Sequence, residues 1–134
     1  MDNIHERVLA LAEGPIWRMF GVHVNKGNDG VCELEFEVKK EFTQSYGSLH
    51  GGIIGTALDM AMGAAVTTTL DSNHYSNTID LNVKYLRPMF GKRLIVKASI
   101  IKGGRRITVT GADAYNEEGK QIATANANFM ILEK

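Results

Sequence analysis

Asp59 has the clearest chemical potential in this chain, because it is the single charged residue in the apolar and small-residue stretch from Gly51 to Leu70. A carboxylate in such surroundings is costly to desolvate and is usually retained for a partner or a function. It could accept a proton from water or attack an electrophile, or it could pair with a buried basic residue or a backbone donor. On this feature alone the catalytic and the structural interpretations are balanced.

Backbone donors precede the acid. Apolar residues recur at helical spacing after His50-Gly51-Gly52, which predicts a long buried helix from Gly51 to Leu70. The N–H groups of Gly51 and Gly52 would then lie at its positive end, free of intrahelical acceptors and able to polarise a carbonyl. The simpler alternative is that the glycines relieve crowding in a tight turn and that His50 only caps the helix.

Small residues are predicted to surround Asp59 on its helix face. At about 100° per residue, Gly52, Gly55, Gly63 and Val66 fall on the side of the acid. Because glycine weakens a helix by roughly 1 kcal/mol, this clustering indicates that a substrate or a partner chain approaches the face closely.

The remaining segments predict a single α+β domain over residues 1–134. Residues 4–20 form a short amphipathic N-terminal helix with a turn at Gly14-Pro15, and the later segments alternate as strands do. Tight turns between consecutive strands indicate an antiparallel meander, a curved sheet of five to six strands wrapped around the one long central helix. The predicted strands are Phe20–Lys26, Val31–Lys39, Thr78–Tyr85, Leu94–Lys102, Ile107–Tyr115 and Gln121–Leu132.

Composition narrows the class of protein. Formal net charge is +0, which argues against a nucleic-acid partner, and 44% hydrophobic content is ordinary for a folded chain. The first residues, Met1 to Arg7, lack the pattern of a secretory signal, and no stretch is predicted to cross a membrane, so a cytoplasmic location is expected. The one cysteine, Cys32, lies in an alternating strand pattern that predicts a small buried hydrophobe.

The residues around the acid resemble a known signature. Gln44-Ser45-Tyr46-Gly47-Ser48-Leu49-His50-Gly51-Gly52, followed by Asp59, is similar to the signature of the hot-dog thioesterase family, especially its phenylacetate-pathway (PaaI-like) branch. The run Ile79 to Pro88 also resembles the strand that follows the central helix in that family. The resemblance implies the hot-dog fold and hydrolysis of acyl-CoA to a free carboxylic acid and CoA.

Site roles follow from the same resemblance. It implies that the Gly51 N–H polarises the thioester carbonyl and that Asp59, from the opposite subunit, is nucleophile or general base. His50 and Gln44 match positions that orient the carbonyl or the attacking water, and Thr78 matches one that positions water. Some relatives carry a hydroxyl residue one turn after the acid, whereas this chain has Gly63 there.

A basic segment could bind the coenzyme. From Lys84 to Arg106 the chain carries eight Lys and Arg residues and no Asp or Glu. Arginine and lysine at strand ends and turns suit the pyrophosphate and 3′-phosphate of CoA. The residues assigned to substrate and CoA binding are Gly52, Arg87, Lys102, Gly103, Arg105 and Arg106.

The chain is expected to form an oligomer. The strand containing Thr78 could lie at a sheet edge, so we expect a homodimer with shared active sites, paired further into a dimer of dimers, a homotetramer.

No metal and no cofactor are expected, since the four histidines are scattered. Other functions open to this fold are a non-catalytic acyl-CoA-binding module, which could lose Asp59, and a dehydratase or hydratase, which would need a His-Pro or Asp-x-x-x-His setting that is absent here.

Overall fold

The chain forms one six-stranded antiparallel sheet packed around a central helix. The structure is a computed structural model that describes residues 3–134; the predictions that involve Met1 and Asp2 lie outside the described residues. Two short helices precede the sheet, and one long helix separates the second strand from the third. The helices are α1 (Glu6–Ala12), α2 (Pro15–Phe20) and α3 (Gly51–Thr67), and the strands are β1 (His23–Asn28), β2 (Val31–Glu37), β3 (His74–Tyr85), β4 (Arg93–Lys102), β5 (Ile107–Asn116) and β6 (Gln121–Glu133).

The predicted fold class is confirmed, and two N-terminal details are wrong. Residues 4–20 form two helices, because Pro15 begins a second one. The predicted strand from Phe20 starts only at His23, since Gly21 adopts a left-handed φ of 67° and ends α2. Phe20 instead packs its ring against Phe36 and Phe42, with centroids 5.3 and 5.1 Å away.

Strand order departs from a simple meander. The order in the sheet is β1-β2-β4-β5-β6-β3, so the meander prediction holds for β4 to β6 while β3 crosses to the far edge and pairs with β6. The helix α3 lies between β2 and β3 in sequence and fills the concave face of the sheet, which separates the two strands that it connects. The predicted edge position of the Thr78 strand is confirmed.

The helix α3 carries the core and ends earlier than predicted. Most of its residues are buried, among them Ala57, Leu58 and Ala61 at 0% exposure. It ends at Thr67 because the next two residues leave the helical pattern, with the hydroxyls of Thr68 and Thr69 donating to carbonyls of the last turn at 2.7 Å. No helix within residues 3–134 is long and apolar enough to cross a bilayer.

Cys32 provides a first testable result. Its thiol is fully buried in β2, as predicted, and burial raises the pKa of Cys32 from 9.0 to about 12. At pH 8, four units below that value, roughly one thiol in ten thousand is ionised, so a disulfide reagent should not modify the native protein. Absorbance should report stoichiometric labelling only after denaturation; fast labelling of the native protein would contradict the buried position.

The raised pKa also has a consequence for stability at alkaline pH. The unfolded thiol ionises near pH 9.0, while the folded one stays protonated until about pH 12. Stability contributed by the buried neutral thiol is therefore complete below pH 9 and is lost as the pH rises through this window.

Candidate active site

The Asp59 carboxylate lies on the least buried stripe of α3 and faces β3. It accepts a hydrogen bond from the Thr78 hydroxyl, Oγ1 to Oδ1 at 2.7 Å. Asp59 is half-buried rather than deeply buried, and within residues 3–134 no basic side chain forms an ion pair with it. The buried salt bridge that the sequence left open is therefore not its explanation in this chain.

A β-bulge aims Thr78 at the acid. The pairing of β3 with β6 shifts between Thr78 and Asp80, with Ile79 as the extra residue. Thr78 pairs with buried Phe129, and after the bulge Leu81 pairs with buried Ala127. Thr78 therefore shares the helix-facing side of β3 with odd-numbered residues, instead of continuing the polar alternation with Asp80 that the sequence suggested.

The start of α3 presents a free donor. His50 caps the helix by accepting from the Gly52 N–H through Nδ1 at 3.0 Å, and the His50 carbonyl accepts from Ile53 and Ile54. No acceptor for the Gly51 N–H is found within residues 3–134. Because the Gly52 N–H can only donate, Nδ1 of His50 is the acceptor in this contact, which leaves Nε2 as the ring nitrogen that can donate.

Tyr85 is a neighbour of this donor that the sequence did not single out. Its hydroxyl donates to the Gly51 carbonyl at 2.7 Å, and its ring lies 3.4 Å from where a Cβ of Gly51 would stand. A Cβ on Gly55 would lie 3.4 Å from the same hydroxyl. The close approach to these two glycines is therefore made by β3 of the same chain. Gly55 and Val66 are buried, whereas Gly63 is half-buried and Gly52 is exposed. The sequence did carry a signal for Tyr85, since it continues the alternating apolar positions Leu81 and Val83.

Gln44 reaches the same region from the loop before α3. Its side-chain amide donates to the Ser48 hydroxyl at 2.5 Å, and its N–H donates to the Ser48 carbonyl at 2.9 Å. The loop is anchored by Phe42, which belongs to the 3-10 turn Lys40–Phe42 and is 6% exposed. Ser48 is a buried polar residue that supports Gln44 and was not predicted from the sequence.

The acid and the donor occupy different clefts in one chain. Gln44, Gly51, Tyr85 and Arg87 line a cavity of about 390 Å³, whereas Asp59 and Thr78 line another of about 200 Å³. Asp59 follows Gly51 by eight positions along the helix, a rise of about 12 Å at 1.5 Å per residue. A single thioester needs both groups within about 3 Å, so one chain alone does not assemble a complete site.

The basic residues are also divided. Arg87 lies at the Gly51 cleft. Arg105 and Arg106 border a separate cleft of about 920 Å³. They belong to the β4–β5 connection, which Lys102 and Gly103 precede in the chain. That cleft also contains Asp71, whose pKa is held below its usual range by the His74 hydrogen bond and then by the Asn73 N–H. Within residues 3–134, neither Arg105 nor Arg106 forms an ion pair. The same residues contain no cluster of three or more His, Cys, Asp or Glu side chains suited to a metal.

Several known proteins are similar to this chain in sequence or in fold. Residues 46–123 match the sequence model of the thioesterase superfamily. A medium/long-chain acyl-CoA thioesterase, YigI of Escherichia coli K12, is 29% identical over 132 residues, covering 87% of this chain and 85% of its own. A thioesterase family protein from Silicibacter pomeroyi superposes with a TM-score of 0.91 at 32% identity, covering 96% of this chain and 98% of that one. The E. coli PaaI protein from the phenylacetic acid degradation operon shares the fold, with a TM-score of 0.87 at 18% identity over 95% of this chain and 91% of its own.

Proposed function

The chain belongs to the thioesterase superfamily and is a thioester hydrolase, and we propose that it cleaves acyl-CoA at a site built from two copies of the chain. Asp59 of one subunit would act on a thioester whose carbonyl is held by the Gly51 N–H of the partner subunit. The observation that carries this proposal is the separation of Asp59 and Gly51 into two half-sites, each of which holds what the other lacks.

Thioester hydrolysis needs a nucleophile or base and a hydrogen-bond donor to the carbonyl oxygen. Water, or Asp59 itself, adds to the thioester carbon, negative charge develops on the carbonyl oxygen, and the carbon–sulfur bond then breaks to release CoA thiolate. The unpaired Gly51 N–H and the Nε2–H of His50 are suitable donors to that oxygen. The Thr78 hydroxyl fixes one oxygen of Asp59 and leaves the other available to a water or to the carbon.

Two mechanisms remain compatible with this geometry, and labelled water separates them. In a single turnover in oxygen-labelled water, a general-base Asp59 delivers the label to the released acid. A nucleophilic Asp59 forms a mixed anhydride, and attack of labelled water on its aspartyl carbonyl places label in the Asp59 carboxylate. Label found in Asp59 by peptide mass spectrometry therefore identifies the anhydride.

The edge strand β3 supports the dimer. It is twelve residues long, pairs only with β6 among the described residues, and exposes Ile79 and Leu81 at 46% and 39%. The opposite edge strand, β1, has six residues and a register shift after Val24, so it is poorly suited to pair with a strand of a second chain. A second copy pairing along β3 would cover apolar surface and satisfy the free backbone groups of that edge.

A dimer of dimers is proposed as the second level of assembly. The turn end of the sheet exposes Ile101 at 65%, Ile107 at 50% and Met130 at 43%, a surface that a second dimer could cover to give a homotetramer. The acyl-CoA substrate class is in keeping with the expected cytoplasmic location, which stays a prediction.

The arginines of the β4–β5 connection are proposed to bind CoA phosphates. Charge reversal at Arg105 and Arg106 together should raise KM for an acyl-CoA by about tenfold or more, because two charge-assisted contacts are lost. Initial rates of CoA thiol release would measure this. The same variant should hydrolyse an acyl-pantetheine thioester, which lacks the nucleotide phosphates, with unchanged KM.

The control for that experiment is Lys120→Glu, since Lys120 is also positively charged and lies in the distant β5–β6 turn. Unchanged KM in the double variant would return Arg105 and Arg106 to ordinary surface. An increase that is equal for acyl-CoA and acyl-pantetheine would show that the effect does not arise from phosphate.

A further inference from the structure

Tyr85 and His50 contact the two ends of one peptide group at the start of α3. The Tyr85 hydroxyl donates to the Gly51 carbonyl at 2.7 Å, and the Gly52 N–H donates to His50 Nδ1 at 3.0 Å. The Gly51 carbonyl and the Gly52 N–H belong to the same amide, whose carbon–nitrogen bond has partial double-bond character. An unbroken chain of two hydrogen bonds therefore links the tyrosine to the histidine through that amide.

The two hydrogen bonds in this chain reinforce each other. A donor at the amide oxygen draws electron density from the amide nitrogen, so the N–H becomes a better donor, as in other linked hydrogen bonds. Donation to Nδ1 in turn favours the ring form of His50 that carries its proton on Nε2, because a nitrogen that accepts a hydrogen bond holds no proton. The Tyr85 hydroxyl thus favours an Nε2–H on His50.

The sheet holds Tyr85 in place. Tyr85 pairs with buried Ala123 in the β3–β6 ladder, and the next N–H, of Leu86, donates to the Ile122 carbonyl at 2.8 Å. The Gly51 carbonyl has two lone pairs, so it can accept from the hydroxyl as well as from a helical N–H. The tyrosine is therefore a fixed donor whose position does not depend on the helix that it contacts.

The His50 ring, in contrast, has a single polar contact. The residue is exposed, and within residues 3–134 the Gly52 N–H is the one hydrogen-bond partner of its side chain. A Cβ on Gly52 would stand 3.2 Å from Nδ1, so the ring lies close over this glycine. The direction in which Nε2 points therefore depends on the strength of that hydrogen bond.

We propose that Tyr85 is a positioning residue for thioester hydrolysis, which orients the His50 ring through the Gly51–Gly52 amide without touching the reacting atoms. This inference rests on the proposed function, in which the His50 Nε2–H donates to the thioester carbonyl oxygen. An oriented donor stabilises that oxygen most when negative charge develops on it, so the tyrosine hydroxyl acts on kcat more than on KM.

The test is Tyr85→Phe, which keeps the ring against Gly51 and removes only the hydroxyl. We expect kcat for acyl-CoA hydrolysis to fall by about three- to tenfold, the scale of one neutral hydrogen bond, with KM within about twofold of wild type. Heteronuclear NMR of the His50 ring nitrogens should show a larger share of the form protonated on Nδ1. The control is Tyr115→Phe on β5, since the Tyr115 hydroxyl has no hydrogen-bond partner within residues 3–134, and it should change none of these quantities.

A double-mutant cycle with His50→Ser separates action through His50 from a purely structural role. Serine can still cap the helix by accepting from a backbone N–H, but it has no ring N–H to orient. The same variant identifies the His50 signals in the NMR spectrum. If Tyr85 acts through His50, Tyr85→Phe should change kcat by less than about 1.5-fold in the His50→Ser background.

Three results would overturn the assignment of Tyr85. They are an equal loss of kcat in both backgrounds, unchanged ring-nitrogen signals in Tyr85→Phe, and a rise in KM alone, which would mean that the hydroxyl binds substrate directly in the cleft that Tyr85 lines. The NMR measurement needs no substrate, so it tests the hydrogen-bond chain independently of turnover. A wild-type protein that hydrolyses no acyl-CoA would instead refute the proposed function.

Discussion

Asp59→Asn is expected to lower kcat for acyl-CoA hydrolysis by about 10²- to 10⁴-fold, the range associated with loss of a positioned acid–base group. Asparagine has nearly the same shape and can still accept the hydrogen bond that Thr78 donates to Oδ1. It cannot accept a proton from water or form an anhydride. KM should change little, because the binding surface is conserved in the variant.

The matched control for Asp59→Asn is Asp113→Asn on β5. Asp113 also accepts a side-chain hydrogen bond, from Gln121 at 2.8 Å, but it lies outside both half-site clefts. Its variant should retain wild-type turnover. If Asp59→Asn stayed within about twofold of wild type under the same conditions, a different group would have to activate water.

The double variant Ile79→Glu, Leu81→Glu is expected to separate the dimer and to abolish most activity together. Each side chain is exposed in the single chain, so a folded monomer tolerates glutamate, whereas the proposed interface would bury unpaired charge. At roughly 3 kcal/mol or more for such a pair of groups, the dissociation constant should rise by at least about 100-fold. Light scattering after size-exclusion chromatography would measure the change in mass.

Activity of the same double variant should recover at high protein concentration, because the two half-sites would then reassemble. Val31→Glu is the control, since Val31 is 38% exposed on β2 and far from the β3 edge. A variant that is monomeric yet fully active would refute the shared site. One that remains dimeric would place the interface elsewhere.

A complementation experiment examines the shared site from the other direction. Subunits carrying Asp59→Asn keep an intact Gly51 half, and subunits carrying Gly51→Pro, which lack that N–H, keep an intact Asp59 half. If the site spans two chains, co-refolded mixtures of these inactive proteins contain heterodimers with one complete site each.

The sequence predicted the elements well where periodicity is local. Apolar residues at helical spacing placed α3 at its correct start, and the two strands predicted before it correspond to the first hairpin, β1 and β2. Strand order was less accessible, because the position of β3 beside β6 depends on α3 filling the concave face of the sheet. No local pattern within Thr78 to Tyr85 records that long-range packing.

The site residues, too, were predictable from local sequence in part only. His50, Gly51 and Asp59 were located from spacing and resemblance, and the structure places them at a helix start and on an open stripe of that helix. The orientation of Thr78 toward the helix was not accessible from alternation, because the bulge at Ile79 leaves no trace in a sequence whose polar and apolar residues alternate without interruption. The distance between Gly51 and Asp59 already follows from their spacing in a helix, whereas the two clefts that they line are visible only in the folded chain.

The bulge at Ile79 decides which side chains of β3 face the helix. Thr78 and Tyr85 are seven residues apart, and in a regular strand an odd separation places two side chains on opposite faces. The unpaired residue Ile79 absorbs one step, so Thr78 reaches Asp59 while Tyr85 reaches Gly51. Deleting Ile79 would leave six residues of separation in a regular ladder with β6, so both side chains should still face the helix.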